Sequence, residues 1–127
     1  MSRFLLVCVG GAIGTGARYL VATAAPHLLG TRFPYGTLAV NALGSFLLGA
    51  IMHIGLATTL ISPTLRLVLA TGVLGGFTTY STFNYETLEL LRAGALWLAG
   101  LNVVTTLVLC LLAGAMGVTA ARWLVGS

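Results

Sequence analysis

The sequence contains no lysine and only two acidic residues, and charged residues make up 6% of its 127 positions. Soluble domains carry about 25% charged residues. So few charges cannot wet a protein surface, which excludes a soluble globular domain and leaves lipid as the expected solvent. The arginines give a net charge of +4, but they are scattered, so no patch forms for nucleic acid or heparin. There are two cysteines, Cys8 and Cys110, both within apolar runs. That placement excludes a secreted disulfide framework and predicts buried, inert thiols. Histidine is equally sparse. His27 falls in an expected loop and His53 is isolated in an apolar span, so neither has a second ligand at metal spacing. No nucleotide-binding motif or catalytic constellation is visible, which disfavours an enzyme. Arg3 followed by "FLLVCVGGAIGTGA" has the form of a signal peptide. The same apolar character continues to the end of the chain, so this segment reads as a first membrane span.

Hydrophobic residues supply 58% of the chain, in four stretches of spanning length. A transmembrane helix needs roughly 20 apolar residues. The first stretch runs from Phe4 to Ala25 and stops at Pro26. The second runs from Tyr35 to Leu60, between Pro34 and Pro63. The third starts near Leu65 and ends near Arg92, and the fourth covers Gly94 to Leu124. The connections are short, which predicts one domain over residues 1–127, an all-α membrane protein with four helices. Helices satisfy every backbone group internally, and the continuous apolar runs do not match the alternating strands of a β-barrel.

The arginines bear on orientation. With alternating spans, Arg3, Arg66 and Arg122 share one side, and Arg32 and Arg92 share the other, with Arg18 inside the first span nearer that second side. The positive-inside rule has almost no bias to act on. Either a weak bias fixes one orientation, or both orientations insert and opposed copies pair. Small residues at four-residue spacing (Gly10 and Gly14, Gly72 and Gly76, Ala113 and Gly117) permit close helix approach. They serve packing within a subunit as well as between subunits.

Polar residues inside the spans are the candidates for function. Thr37, Asn41 and Ser45 recur every four residues and share one helix face. That face should look at protein or water, or Asn41 makes an interhelical hydrogen bond. Asn102, Thr105 and Thr106 form a similar cluster, for which back-bonding of the threonines to their own helix is the commoner fate. Arg18 and Glu86 are ions in membrane segments, and such ions mark functional sites or ion pairs. For Arg18, snorkelling to the headgroups or a vestibule position is favoured over a deep site.

The run "GVLGGFTTYSTFNYE", residues 72–86, interrupts the third span with hydroxyls and rings. Adjacent glycines make unwinding cheap. Unwound backbone at membrane depth is tolerated where it lines a cavity or binds an ion. Its carbonyls suit a small hard cation, whereas the Ser81 and Thr82 hydroxyls suit an anion or water. Tyr80 and Phe83 are three residues apart on one face, and aromatic rings present a positive edge. The bland alternative is ring packing in a weakened helix.

These motifs resemble those of the Fluc, or CrcB, family of small fluoride channels. "GAIGTGARY", "GTLAVN" and the long "GGFTTYSTF" followed by Glu86 carry the likeness, and Asn102 extends it to the fourth span. The resemblance implies a dual-topology, antiparallel homodimer in the inner (plasma) membrane. Such a dimer has two passive fluoride pores that export the anion from the cytoplasm and a central sodium ion held at the break in the third helix. By position, the backbone carbonyls of Gly75 and Thr78 would hold sodium. Asn41 would donate to fluoride and Phe83 would be a pore aromatic. Ser81, Thr82, Thr37 and Glu86 would line the path, with Arg18 near an aqueous mouth. Tyr80 stands where the family usually has Phe, so its hydroxyl either joins the donors or narrows the pore. Two other classes remain at this stage. A proton-coupled exporter of small cations would need an acid deep in the pathway, and the first span has none. An assembly subunit would not need the hydroxyl–aromatic run.

Overall fold

Ser2 opens the first helix: its Oγ accepts the Leu5 N–H at 3.3 Å, satisfying one of the donors left over at a helix start. In the computed structural model, which describes residues 2–126, helix α1 covers Arg3–Leu29. At 1.5 Å per residue its 27 residues span about 40 Å, more than a bilayer core. The helix does not stop at Pro26 as the sequence suggests. Pro26 lies inside it, and His27, expected in a loop, is in the last turn. The ring removes one N–H, but only a few residues follow, and the Pro26 carbonyl still accepts from Gly30 N–H at 3.0 Å. The chain turns at Gly30, whose φ of 92° is open to glycine.

Helix α2 (Tyr35–Ala57) ends short of Leu60. Thr58 is extended, and its hydroxyl donates to the Ile54 carbonyl at 2.7 Å. Ser62 then caps α3 (Pro63–Leu67) through Leu65 N–H at 3.1 Å, with Pro63 in the first turn where its missing donor costs nothing. The third crossing therefore starts at Pro63. It continues as a π-helical segment (Val68–Leu74) and α4 (Gly75–Phe77), breaks, and resumes as α5 (Tyr80–Arg92). Helix α6 (Leu96–Val125) completes the chain. Helices α1, α2 and α6 are each long and apolar enough to cross a membrane, and the segmented α3–α5 series makes a fourth, broken crossing. No strand occurs among the described residues. The chain is an all-α, multi-pass membrane protein.

The break is not at the adjacent glycines. Gly75 is helical, at φ −62° and ψ −37°. The backbone leaves the helix at Thr78 (ψ 157°) and Thr79 (φ −153°, ψ 114°), and β-branched residues sit well in extended backbone. The glycines serve close approach instead. A Cβ on Gly14 would strike the Val73 carbonyl, one on Gly76 would strike the Gly11 carbonyl, and one on Gly10 would lie 3.1 Å from the Val68 carbonyl. The two G-x-x-x-G steps thus interlock α1 with the third crossing inside one subunit. Helices α2 and α6 meet the same way, Gly117 against the Phe46 carbonyl and Gly49 against the Gly114 carbonyl. Between these pairs lies a small core of Val40, Leu74 and Phe77.

Most apolar side chains face outward, including Trp97 and Trp123 near opposite ends of α6, where interfacial tryptophans belong. The cysteines are not both buried as expected. Cys8 is exposed on α1 and Cys110 is half-buried. A thiol is apolar enough to face lipid, so an apolar run does not imply a core position in this protein.

Candidate functional site

The site is built around the break in the third crossing and the polar face of α2 that packs against it. Asn41 grips Thr79 with both ends of its amide. Its Nδ2 donates to the Thr79 carbonyl at 2.9 Å, and its Oδ1 accepts the Thr79 N–H at 2.7 Å. The amide oxygen thereby takes up the Thr79 N–H that the break leaves without a helical acceptor, an accounting that buried backbone requires. The interhelical bond expected of Asn41 is thus present, twice over. Thr79 also restarts the helix: its Oγ1 accepts the Thr82 N–H at 3.2 Å and donates to Thr82 Oγ1 at 3.0 Å. The Ser81 hydroxyl lies 3.4 Å from the same oxygen, so three hydroxyls gather where α5 begins.

Arg18 reaches across to the third crossing. Its Nε donates to the Gly76 carbonyl at 2.9 Å, and the residue is half-buried. The reason is the interlocked glycines, which bring α1 close enough for a guanidinium to reach the last turn before the break. No Arg18–Glu86 pair forms; the ion pair among the described residues is Arg92–Glu89, at 2.8 Å on the surface. Glu86 takes a hydrogen bond from buried Thr37 (Oγ1 to Oε1, 2.6 Å). Its other oxygen, Oε2, is buried with no hydrogen-bond partner. Thr37 and Glu86 line a hollow of about 480 Å³ at one end of the bundle, beside Arg32, Tyr35 and Glu89.

A second hollow of about 460 Å³ lies at the level of the break. Asn41, Ser45, Tyr80 and Phe83 form one part of its wall, and Thr106 and Cys110 of α6 form another. The Tyr80 and Phe83 rings are neighbours, as their spacing implies. Tyr80 is 77% exposed on the single chain, whereas Phe83 is half-buried. A third, smaller hollow of about 180 Å³ is lined by Gly75 and Thr78 together with Gly44 and Leu74, and it shares Asn41 and Ser45 with the second. Asn41 is therefore part of the wall of both. The structure brings together Asn41, Tyr80, Phe83, Gly75 and Thr78, and adds Ser81 and Thr82 through Thr79. Thr37 and Glu86 form a separate pair nearer one end.

Thr79 and Cys110 were not singled out from the sequence as part of a site. Thr79 is the hinge of the arrangement, and a threonine immediately before a resumed helical pattern is the cap signal that marks it. Thr106 and Cys110 reach the hollow from α6, one turn apart. Asn102, 1% exposed, donates to Thr87 Oγ1 at 3.0 Å, and Thr87 in turn donates to the Phe83 carbonyl at 2.8 Å. Thr105 follows the expected back-bonding, to the Leu101 carbonyl at 2.7 Å.

A family profile described as "CrcB-like protein, Camphor Resistance (CrcB)" matches residues 5–118. A protein from Sorangium cellulosum named "Fluoride-specific ion channel FluC" is 56% identical, and the alignment covers 98% of each chain. Proteins of the same name from Anaeromyxobacter sp. (strain K) and Geobacter sulfurreducens are each 52% identical. They match over 99% and 98% of this chain and 100% of their own lengths.

Proposed function

The chain belongs to the CrcB family, and on that premise we propose that it is a fluoride channel that lets the anion leave the cytoplasm passively through the plasma membrane. It is a transporter, not an enzyme. The observation that carries the reading is the hollow at the break, whose wall combines an amide residue, hydroxyl residues and two aromatic residues with no fixed cation or anion among the lining residues. Fluoride is small and strongly hydrated, so a pore must replace its water with many donors. The Asn41 amide has two N–H groups and spends one on Thr79, which leaves one for an anion. Hydroxyls of Ser81, Thr82 and Thr106, and the edges of Phe83 and Tyr80, supply the remainder. Selectivity then follows from width and donor placement. Thr37 and Glu86 continue the polar lining toward one end. Arg18 contributes a positive charge near the break.

The working unit in this reading is an antiparallel homodimer. On one chain the hollow is open at Tyr80, and Gly75 is exposed. A second copy would cover both. The near-equal arginine count on the two sides allows the two orientations. The residues around the smaller hollow fit a sodium ion at the dimer centre. In a continuous helix the Thr79 N–H would satisfy the Gly75 carbonyl and the Thr82 N–H would satisfy the Thr78 carbonyl. Both donors are turned elsewhere, to Asn41 Oδ1 and Thr79 Oγ1. Two carbonyls without their helical donors, beside a small hollow, are ligands of the kind a hard cation takes. Sodium held there would supply a fixed positive charge joining the two subunits.

The test is fluoride efflux from liposomes containing the purified protein, followed with a fluoride-selective electrode. Rapid, passive efflux that far exceeds chloride efflux is expected. Liposomes that hold fluoride as tightly as protein-free controls would overturn the proposal.

A further inference from the structure

The carbonyls at the break are sorted by the side chains of Arg18 and Asn41 from two other helices and by the Thr79 hydroxyl at the break itself. Four of them matter. The Gly76 carbonyl accepts from Arg18 Nε at 2.9 Å, and the Thr79 carbonyl accepts from Asn41 Nδ2 at 2.9 Å. The Gly75 and Thr78 carbonyls lose their helical donors, as described above. The loss at Gly75 has a specific cause. The Thr79 N–H, which would otherwise close the helix onto Gly75, is held by Asn41 Oδ1 at 2.7 Å. One amide therefore performs three tasks at once. Its oxygen keeps a donor off Gly75, one N–H occupies Thr79, and the residue forms part of the wall of the larger hollow.

We infer that Asn41 is a positioning residue for the cation site, coupling that site to the anion path, and that Arg18 assists by occupying the neighbouring Gly76 carbonyl. Asn41 does not ligand the cation. It decides which carbonyls are available and holds the extended turn in which Gly75 and Thr78 flank one hollow. Two further features agree. Asn41 lines both the smaller hollow and the larger one. The turn has little other freedom, because Gly44 leaves room for the Thr78 side chain only by lacking a Cβ of its own. The consequence is mechanical. Displacing Asn41 releases the Thr79 N–H, which is then free to close onto Gly75 and remove a cation ligand. A change made for the anion path at Asn41 thus alters the cation site as well, although no cation ligand has been mutated.

This inference rests on the cation reading given above, and the two fail separately. Purified protein in detergent is titrated with sodium chloride at constant ionic strength, with choline chloride as the replacement salt, and thermal stability is read at each point. Wild type is expected to gain stability with sodium and reach a plateau. In Asn41→Leu and Asn41→Ser the sodium concentration at half-effect should rise by about tenfold or more, equivalent to ~1.4 kcal/mol. Gly16→Ala, where an added Cβ meets nothing within 4 Å, should titrate as wild type does. Wild-type midpoints in both Asn41 variants would overturn the inference and leave the cation site standing. A wild type indifferent to sodium would overturn the cation reading, and the inference with it. Hydrogen exchange on the wild type provides a second measurement that does not depend on the variants folding. The Thr79 amide should exchange slowly with sodium or without it, because its acceptor is a side chain. Fast exchange at Thr79 without sodium would overturn the coupling.

Discussion

The rings of Tyr80 and Phe83 lie with centroids 5.7 Å apart and planes tilted by 55°. That is within the range of tilted aromatic pairs, and both residues line the hollow that Asn41 also lines. If edges rather than bulk do the work, removing one ring harms conduction more than folding. Phe83→Ile keeps an apolar side chain and is expected to purify normally. Its fluoride flux in liposomes should fall by at least about an order of magnitude, ~1.4 kcal/mol in the barrier. Tyr80→Phe separates ring from hydroxyl in the same assay. Unchanged flux assigns the role to the ring edge, and slowed flux assigns a donor role to the hydroxyl. Wild-type flux in Phe83→Ile would mean that this ring only packs.

Two glycines two residues apart in α1 should behave oppositely. A methyl on Gly14 would meet the Val73 backbone, whereas one on Gly16 would meet nothing within 4 Å. Gly14→Ala should lower thermal stability by an amount equivalent to about 1–3 kcal/mol or more. Gly16→Ala should be neutral or stabilising by up to about 1 kcal/mol. Thermal unfolding of the two variants in the same detergent checks the contrast. Equal behaviour would contradict the interlocked α1 contact.

The Thr37–Glu86 bond at 2.6 Å is the only hydrogen bond recorded for this carboxylate among the described residues. Thr37→Val keeps the shape and removes the donor. A loss of about 1–3 kcal/mol in stability is expected, because a half-buried carboxyl oxygen is left without its donor. Thr37→Ser should restore most of it. Denaturation of the three proteins side by side reads the series, and a valine variant as stable as wild type would show that water already satisfies Glu86.

Orientation is tested without any assay of flux. Reporter fusions at the C-terminus should show signal from both sides of the membrane. Adding two lysines next to one loop should drive the chain to a single orientation and reduce efflux until an oppositely biased copy is co-expressed. A one-sided reporter signal in the unmodified protein would contradict dual insertion.

Much of this architecture was legible in the residues. Scarce charge and four apolar stretches define a helical membrane protein, and the 72–86 run marks the interruption. What the sequence misplaced was the location and cause of the break. Gly75 and Gly76 look like the weak point, but glycines that admit a neighbouring backbone stay helical, and it is Thr78 and Thr79 that extend. Long-range partners were also beyond reach. Arg18 reaches Gly76 only because Gly14 and Gly76 let two helices nearly touch, a distance that no spacing within α1 encodes. The same holds for Thr37, whose partner Glu86 is 49 residues away. The cysteines were misjudged because an apolar neighbourhood in a membrane protein is as often lipid-facing as internal.

The ion pair among the described residues, Arg92–Glu89, is exposed and one turn long. Among the described residues the segments are otherwise tied together by close backbone approaches, by hydrogen bonds such as Asn41–Thr79 and Thr37–Glu86, and by the small core of Val40, Leu74 and Phe77. Exposed pairs contribute about 0–1 kcal/mol and fade as salt screens them within a Debye length of about 10 Å at 0.1 M. The scaffold should therefore be nearly blind to ionic strength. A salt titration of this protein becomes a clean instrument: a response common to all salts points to the membrane or the detergent. A response that depends on which ion is added reports on a site where that ion is recognised.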